Sequence, residues 1–218
     1  MLAAWAIAAA LAAQAMPAHP ISGRRIAPVM GWQGADWLER SEREQEESPD
    51  VAVRLLQIPP GAAVADIGAG SGYITLLLSA AVGPTGRVFA NDLQPQMIEI
   101  LRRRLASQNV TNVTLVQGSV DDPNLPPASV DLALMVDVYH ELSRPQAMLQ
   151  KLRTALKPGG RLALLEYRKE DPAIPIKFEH KMSIQEAKAE LEAEGFKLSK
   201  VDETLPRQHI LIFSVAVH

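Results

Sequence analysis

The chain has 218 residues, 47% hydrophobic and 22% charged, enough for one domain with a sizeable core and too ordinary a composition for a disordered chain. A formal charge of −3 argues against a surface built throughout for nucleic acid, where a marked basic excess is usual. The absence of cysteine fits an oxidising and a reducing compartment equally.

In chain order, Leu2 to Ala13 is an unbroken apolar run, mostly alanine, leading into Ala13-Gln14-Ala15, the small-x-small pattern at which secretory signals are cut. The run is shorter than the ~20 apolar residues a spanning helix needs, and no Lys or Arg precedes it. Residues 1–15 are therefore expected to be a signal peptide, which implies a periplasmic or secreted chain, with a cytoplasmic one as the alternative. Met16 to Gly34 is punctuated by Pro and Gly and reads as extended. Asp36 is expected to cap a charged helix that runs to Glu47, and residues 16–47 are expected to form a linker and a helical lid. Ser48-Pro49 predicts a second helix start, with Val51, Leu55 and Ile58 on one face and Pro59-Pro60-Gly61 as the stop.

From Ala62 two periods alternate. Strand-like runs fall at Ala63 to Ile67, Gly86 to Ala90, Val113 to Val116, Val130 to Val136 and Arg161 to Leu165. Helical patterns fall at Ser71 to Ala81, Pro95 to Ser107 and Arg144 to Leu156, then from Ser183 to Gly195. Two strands, Phe196 to Val201 and Gln208 to Val217, close the chain. This order predicts an α/β fold with a parallel sheet, helices on both faces and an antiparallel edge.

The run from Val64 to Tyr73, VADIGAGSGY, joins the first strand to the first helix of this pattern. In a doubly wound sheet ligands sit beyond the carboxyl ends of the strands, and this turn lies where strand order reverses. Glycines at 68, 70 and 72 allow a tight turn and close approach of a ligand, and the helix start adds free N–H groups. A dinucleotide loop wants a glycine where Tyr73 stands. A second acid, Asp92, ends the next strand, where a carboxylate can accept both ribose hydroxyls. The pattern suits a nucleoside without a diphosphate.

These residues resemble the class I S-adenosylmethionine-dependent methyltransferases. Asp66-Ile67-Gly68-Ala69-Gly70-Ser71-Gly72 is similar to that family's first motif, and Val88 to Leu93 to its second strand with the ribose-binding acid. Gly118-Ser119-Val120-Asp121, Asp131 to Asp137, and Leu156-Lys157-Pro158-Gly159-Gly160-Arg161-Leu162 continue the resemblance in order, so that it covers Ser48 to the C-terminus. It departs at Ser119, where many relatives have Asp, which leaves the adenine contact to Asp121 or main chain. The resemblance implies a doubly wound, mostly parallel seven-stranded sheet with an antiparallel final strand, and S-adenosylmethionine as co-substrate with no metal expected. It implies donor-binding residues Asp66, Gly68, Ala69, Gly70, Gly72, Asp92, Leu93, Ser119, Val120 and Asp137. Asp66 either orders the glycine loop, meets the amino-acid tail of the donor, or simply caps local backbone.

Methyl transfer from a sulfonium is an in-line displacement that needs alignment above all, and a base only where the acceptor must lose a proton. The segment Asp137-Val138-Tyr139-His140-Glu141 follows the fourth strand on the edge that faces the donor. It supplies His140, Tyr139 and Glu141 as candidate catalytic residues, with Tyr167 one strand over. An equally open reading has Asp137 and His140 bonding loop backbone and Glu141 capping the next helix. His180 and Arg207-Gln208-His209 sit in loops, where surface or capping roles are favoured, and Arg102-Arg103-Arg104 reads as a solvated face. The expected activity is methylation of a small molecule, because the chain carries little beyond the core fold. The alternatives are a protein or RNA acceptor and a non-catalytic module that binds the donor. A nucleic-acid partner is not expected, nor is a membrane span after signal removal. The oligomeric state is not legible.

Overall fold

The computed structural model describes residues 16–216. The signal-peptide expectation for residues 1–15 therefore lies outside the described residues, as does Val217 at the end of the expected last strand.

Among the described residues eight strands form one sheet: β1 (Ala63–Ile67), β2 (Arg87–Asp92), β3 (Val113–Gln117), β4 (Val130–Val136), β5 (Leu156–Arg168), β6 (Lys181–Met182), β7 (Phe196–Asp202) and β8 (Gln208–Val215). Their order is β3-β2-β1-β4-β5-β8-β7, with β6 pairing with the end of β5. The seven expected strands are all present, and the two-residue β6 is the addition. Strands β1 to β5 run parallel, while β8 runs antiparallel to both β5 and β7. Strand order reverses between β1 and β4, so the β1 and β4 carboxyl ends open the crevice where ligands of such sheets bind.

Both faces of the sheet are covered, which is why the central strands read as continuous apolar runs. Successive residues point to opposite faces. Ala65, Ala133, Met135, Leu162 and Leu164 meet Met148, Leu149 and Leu152 of α5 (Pro145–Ala155) and Ala187 and Leu191 of α6 (Ile184–Ala193). Val64, Leu132, Leu134, Ala163 and Leu165 meet Val53 of α2 (Pro49–Leu55) and Ile74, Leu78 and Val82 of α3 (Tyr73–Val82). Leu101 and Leu105 of α4 (Pro95–Ser107) pack on Ala90 of the same face. Truncating one of these buried leucines to alanine costs about 2–5 kcal/mol. No helix of the described residues is long and apolar enough to cross a membrane.

Helix α6 starts on a complete capping box: the Ser183 hydroxyl accepts from the Glu186 amide, and the Glu186 carboxylate accepts from the Ser183 amide. Other boundaries differ from expectation. The fifth strand is longer than Arg161 to Leu165, because Val130 pairs with Leu156 and Leu132 with Arg161, so Lys157 to Gly160 bulge out within it. The helix expected from Asp36 to Glu47 is two pieces, a 3-10 helix over Trp32–Glu39 and the helix α1 (Arg43–Glu47). Asp36 lies inside the first piece and caps nothing. The break at Arg40 lets its guanidinium stack on the Trp37 ring and pair with Glu46 and Glu47. Ser48 adopts a left-handed φ of 50° and makes no side-chain cap, leaving Pro49 alone to open α2.

Candidate functional site

Beyond the β1 and β4 ends lies a cleft of about 410 Å³. Its floor is the glycine turn. Gly68 has a φ of +74°, and a Cβ there would stand 2.5 Å from the Val138 side chain, so both conformation and space require glycine. The turn is fixed from β2: the Asn91 carbonyl accepts from the amides of Gly68 at 2.9 Å and Ala69 at 2.8 Å. The Asp92 carboxylate accepts from the Gly70 amide at 2.9 Å and the Gln94 amide at 2.8 Å. The Gly72 amide donates to the Ala69 carbonyl at 2.9 Å.

Gly68, Gly70, Asp92, Leu93, Ser119, Val120 and Asp137 all line the cleft, as the sequence places them. Asp92 is 6% exposed, and a carboxylate has about four acceptor positions, so its backbone amide bonds do not exhaust it. Burial raises its pKa, and the amide bonds oppose the rise. Three residues expected to touch the donor do not line the cleft. Asp66 lies beneath the turn, where it accepts the Thr75 hydroxyl at 2.6 Å and pins the first turn of α3 to β1. Burial lifts its pKa to about 6. Ala69 is turned away by its bond to Asn91, and Gly72 opens α3 beside Leu101. The Asp121 carboxylate is held by the Ser119 hydroxyl and Arg144, so it too lies outside the cleft lining.

The opposite end of the cleft is polar. The 3-10 turn Tyr139–Glu141 after β4 buries His140 at 2% exposure with Nδ1 2.5 Å from Oε2 of Glu166. The other oxygen of Glu166 accepts from the Tyr139 amide at 2.9 Å. Nε2 of His140 faces Nδ1 of His180 at 3.1 Å, and Oε1 of Glu141 lies 3.8 Å from each of these nitrogens. Burial pulls the His140 pKa down, but the carboxylates of Glu166, Asp137 and Glu141 together more than offset it and the net shift is upward. Glu141 is pushed up to about 7 by burial. Asp137, at a left-handed φ of 54°, is held far above the carboxylate range by burial and by Glu47 and Glu166. Its Oδ2 accepts from the Gln208 amide group at 2.7 Å, and its Oδ1 is buried without a partner.

Tyr139 is corrected from the candidate catalytic set: it is fully buried, lies outside the cleft lining and stacks under the Arg24 guanidinium at 5.3 Å. Tyr167 does line the cleft, and its hydroxyl donates to Glu47 at 2.6 Å. His180 joins the site, Gln208 reaches Asp137, and Arg207 pairs with Glu46. His209 is buried away from the cleft. Arg104 is not a solvated residue either, since it pairs with Glu39 and thereby ties the N-terminal segment to α4. That segment supplies Val29, Met30, Trp37 and Leu38 to the cleft wall.

Sequence reasoning missed Asn91, Glu47 and Glu166. Glu166 sits in the apolar run of β5, and a carboxylate inside an otherwise buried strand was the available signal.

A doubly wound sheet, a glycine turn braced by an acid at the end of β2 and a polar end beyond β4 define a nucleoside-binding α/β domain. Residues 64–160 match the family model described as a methyltransferase domain. The ubiquinone/menaquinone biosynthesis C-methyltransferase UbiE of Ectopseudomonas mendocina (strain ymp) is 32% identical over 57% of this chain and 48% of its own length. That of Pseudomonas fluorescens (strain Pf0-1) is 32% identical over 58% of this chain and 50% of its own length, so the chain spans about half the length of these curated relatives. A SAM-dependent methyltransferase from Aquifex aeolicus superposes with a TM-score of 0.81 at 25% identity, covering 86% of this chain and 100% of that one. These matches, with the motif order and the fold, support a class I S-adenosylmethionine-dependent methyltransferase family for residues 64–160.

Proposed function

We propose that the chain transfers a methyl group from S-adenosylmethionine to a small, largely apolar acceptor held at the polar end of the cleft. The observation that carries this reading is the pairing, within one cleft, of the glycine turn braced by Asp92 with the imidazole and carboxylate groups of His140, Glu141 and His180. The residues fit the donor: Asp92 keeps free acceptor positions, Leu93 and Val120 offer apolar faces, and the Asp137 carboxyl brings an unpartnered oxygen. When bound, S-adenosylmethionine supplies a methyl group on a sulfonium. Gly68 and Gly70 give it close access to the backbone, and Trp37, Leu38 and Met30 wall off water. Glu166 fixes the ring of His140 at the polar end of the cleft, where it, Glu141 and His180 can assist loss of a proton from the acceptor.

The small-molecule acceptor is supported by the apolar walls of the cleft, which include Val29, Leu142, Pro175 and Ile176, and by the names of the curated relatives. Export is part of the proposal, supported by the Leu2 to Ala13 run and the Ala13-Gln14-Ala15 pattern, and mass spectrometry of the amino terminus from native cells tests it. For the activity, the test is calorimetric titration with S-adenosylmethionine, its demethylated product and NADH, followed by a screen of hydroxylated aromatic acceptors for release of the demethylated product. Binding of the two sulfur nucleosides alone is expected. Binding of NADH instead would overturn the reading.

A further inference from the structure

We propose that His140, Glu141 and His180 form a mononuclear site for a divalent transition-metal ion of the zinc class, open toward the cleft. The three ligand atoms all lie within 4.8 Å of one another, with the two ring nitrogens 3.1 Å apart and the carboxylate oxygen 3.8 Å from each. Ligands ~2.0–2.2 Å from a tetrahedral ion stand ~3.4 Å apart. The side chains are thus already at ligand spacing, on two segments far apart in sequence. Two imidazoles and one carboxylate make a borderline donor set that suits zinc, iron or cobalt better than calcium or magnesium, which favour oxygen alone.

The surroundings point the same way. Nδ1 of His140 is held by the buried carboxylate of Glu166 at 2.5 Å, the arrangement by which ligating imidazoles are oriented from behind. That bond leaves Nε2 as the ligating nitrogen, and Nε2 is the atom that faces His180 and Glu141. Among the described residues no Lys or Arg pairs with Glu141 or Glu166, so these acids crowd a small volume without a fixed cation. All three proposed ligands line the cleft, so a fourth position opens onto the space in which the acceptor would sit. An acceptor hydroxyl or thiol placed there would be acidified by the ion. In its purpose this site rests on the proposed methyl transfer, whereas ion binding itself does not.

The test uses the full chain, stripped with chelator, dialysed and titrated with Zn²⁺ by calorimetry and with Co²⁺ by visible absorption. One equivalent of each is expected, with Co²⁺ giving d–d bands. His180→Ala and Glu141→Gln should each weaken Zn²⁺ binding at least tenfold, while Glu179→Gln, a neighbouring acid outside the set, leaves it unchanged. Thermal unfolding and S-adenosylmethionine titration of each variant report whether the fold is kept. Binding that survives in both ligand variants, or absence of a stoichiometric ion in the parent chain, would overturn the site. A chain that binds the ion but not S-adenosylmethionine would keep the site and overturn the methyltransferase reading, and the converse result would do the reverse.

Discussion

The carboxylate of Glu166 on β5 grips Nδ1 of His140 at 2.5 Å while its second oxygen takes the Tyr139 amide at 2.9 Å, so one buried side chain fixes both the ring and the turn that carries it. Glu166 is therefore a positioning residue. Glu166→Gln keeps an oxygen for the Tyr139 amide and weakens the hold on the ring. We expect kcat to fall by about 10- to 100-fold, with the KM for S-adenosylmethionine little changed. A rise in that KM equal to the loss in kcat would show a general collapse of the cleft instead.

Asp92 joins the proposed donor site to the glycine turn through its bond to the Gly70 amide. An amide at this position loses the charge that a ribose hydroxyl would donate to. Asp92→Asn should weaken S-adenosylmethionine binding by about 1.5–3 kcal/mol, on the order of 10- to 100-fold. Calorimetry measures it, and unaltered affinity would remove Asp92 from the donor site.

Asp66 gives a pH signature of stability. Its carboxyl is raised from 3.8 to about 6 by burial, so the folded chain holds the proton more tightly than the unfolded chain does. The favourable contribution is complete below pH 3.8 and is lost as pH rises through about 6, a change of roughly 3 kcal/mol. Asp66→Asn retains an acceptor for Thr75 and cannot ionise. The difference in unfolding free energy between variant and parent should therefore grow in favour of the variant from pH 4 to pH 7, as urea denaturation across that range would reveal. A flat difference would mean that the carboxyl titrates alike in both states.

Tyr167 fastens the N-terminal segment through its bond to Glu47, which Arg40 and Arg43 also hold. Tyr167→Phe removes a hydrogen bond to a carboxylate and should cost about 1.5–3 kcal/mol of stability. It should also quicken tryptic cleavage near Arg40. Because Trp37 and Leu38 wall the cleft, added S-adenosylmethionine should slow that cleavage in the parent chain. Equal cleavage with and without it would count against a lid.

The sheet was legible because its strands carry apolar runs and its turns carry Gly, Pro and Asp at the right places. The glycine-turn end of the cleft was legible for the same local reason: glycines at 68 and 70 and the acid at 92 lie within one strand-helix-strand unit. Asp66 and Ala69 belong to that motif but face inward, since a motif specifies the turn and not which of its side chains meet the ligand. The polar end was only half legible. His140 and Glu141 are neighbours in sequence, whereas His180 and Glu166 reach them only through the parallel pairing of β4 with β5 and the short β6 ladder. Tyr139 misled because a 3-10 turn sends adjacent side chains in different directions, one toward the cleft and one into the core.

The amides of the glycine turn have a bearing on which ligands are refused. Those of Gly68, Ala69, Gly70 and Gly72 all donate to acceptors of the protein itself. A pyrophosphate laid across this turn would meet amides already engaged, together with the acid Asp92. The same bonds that hold the turn rigid thus take these four amides out of reach of an anion, so a pyrophosphate would find fewer donors here than on an open glycine loop.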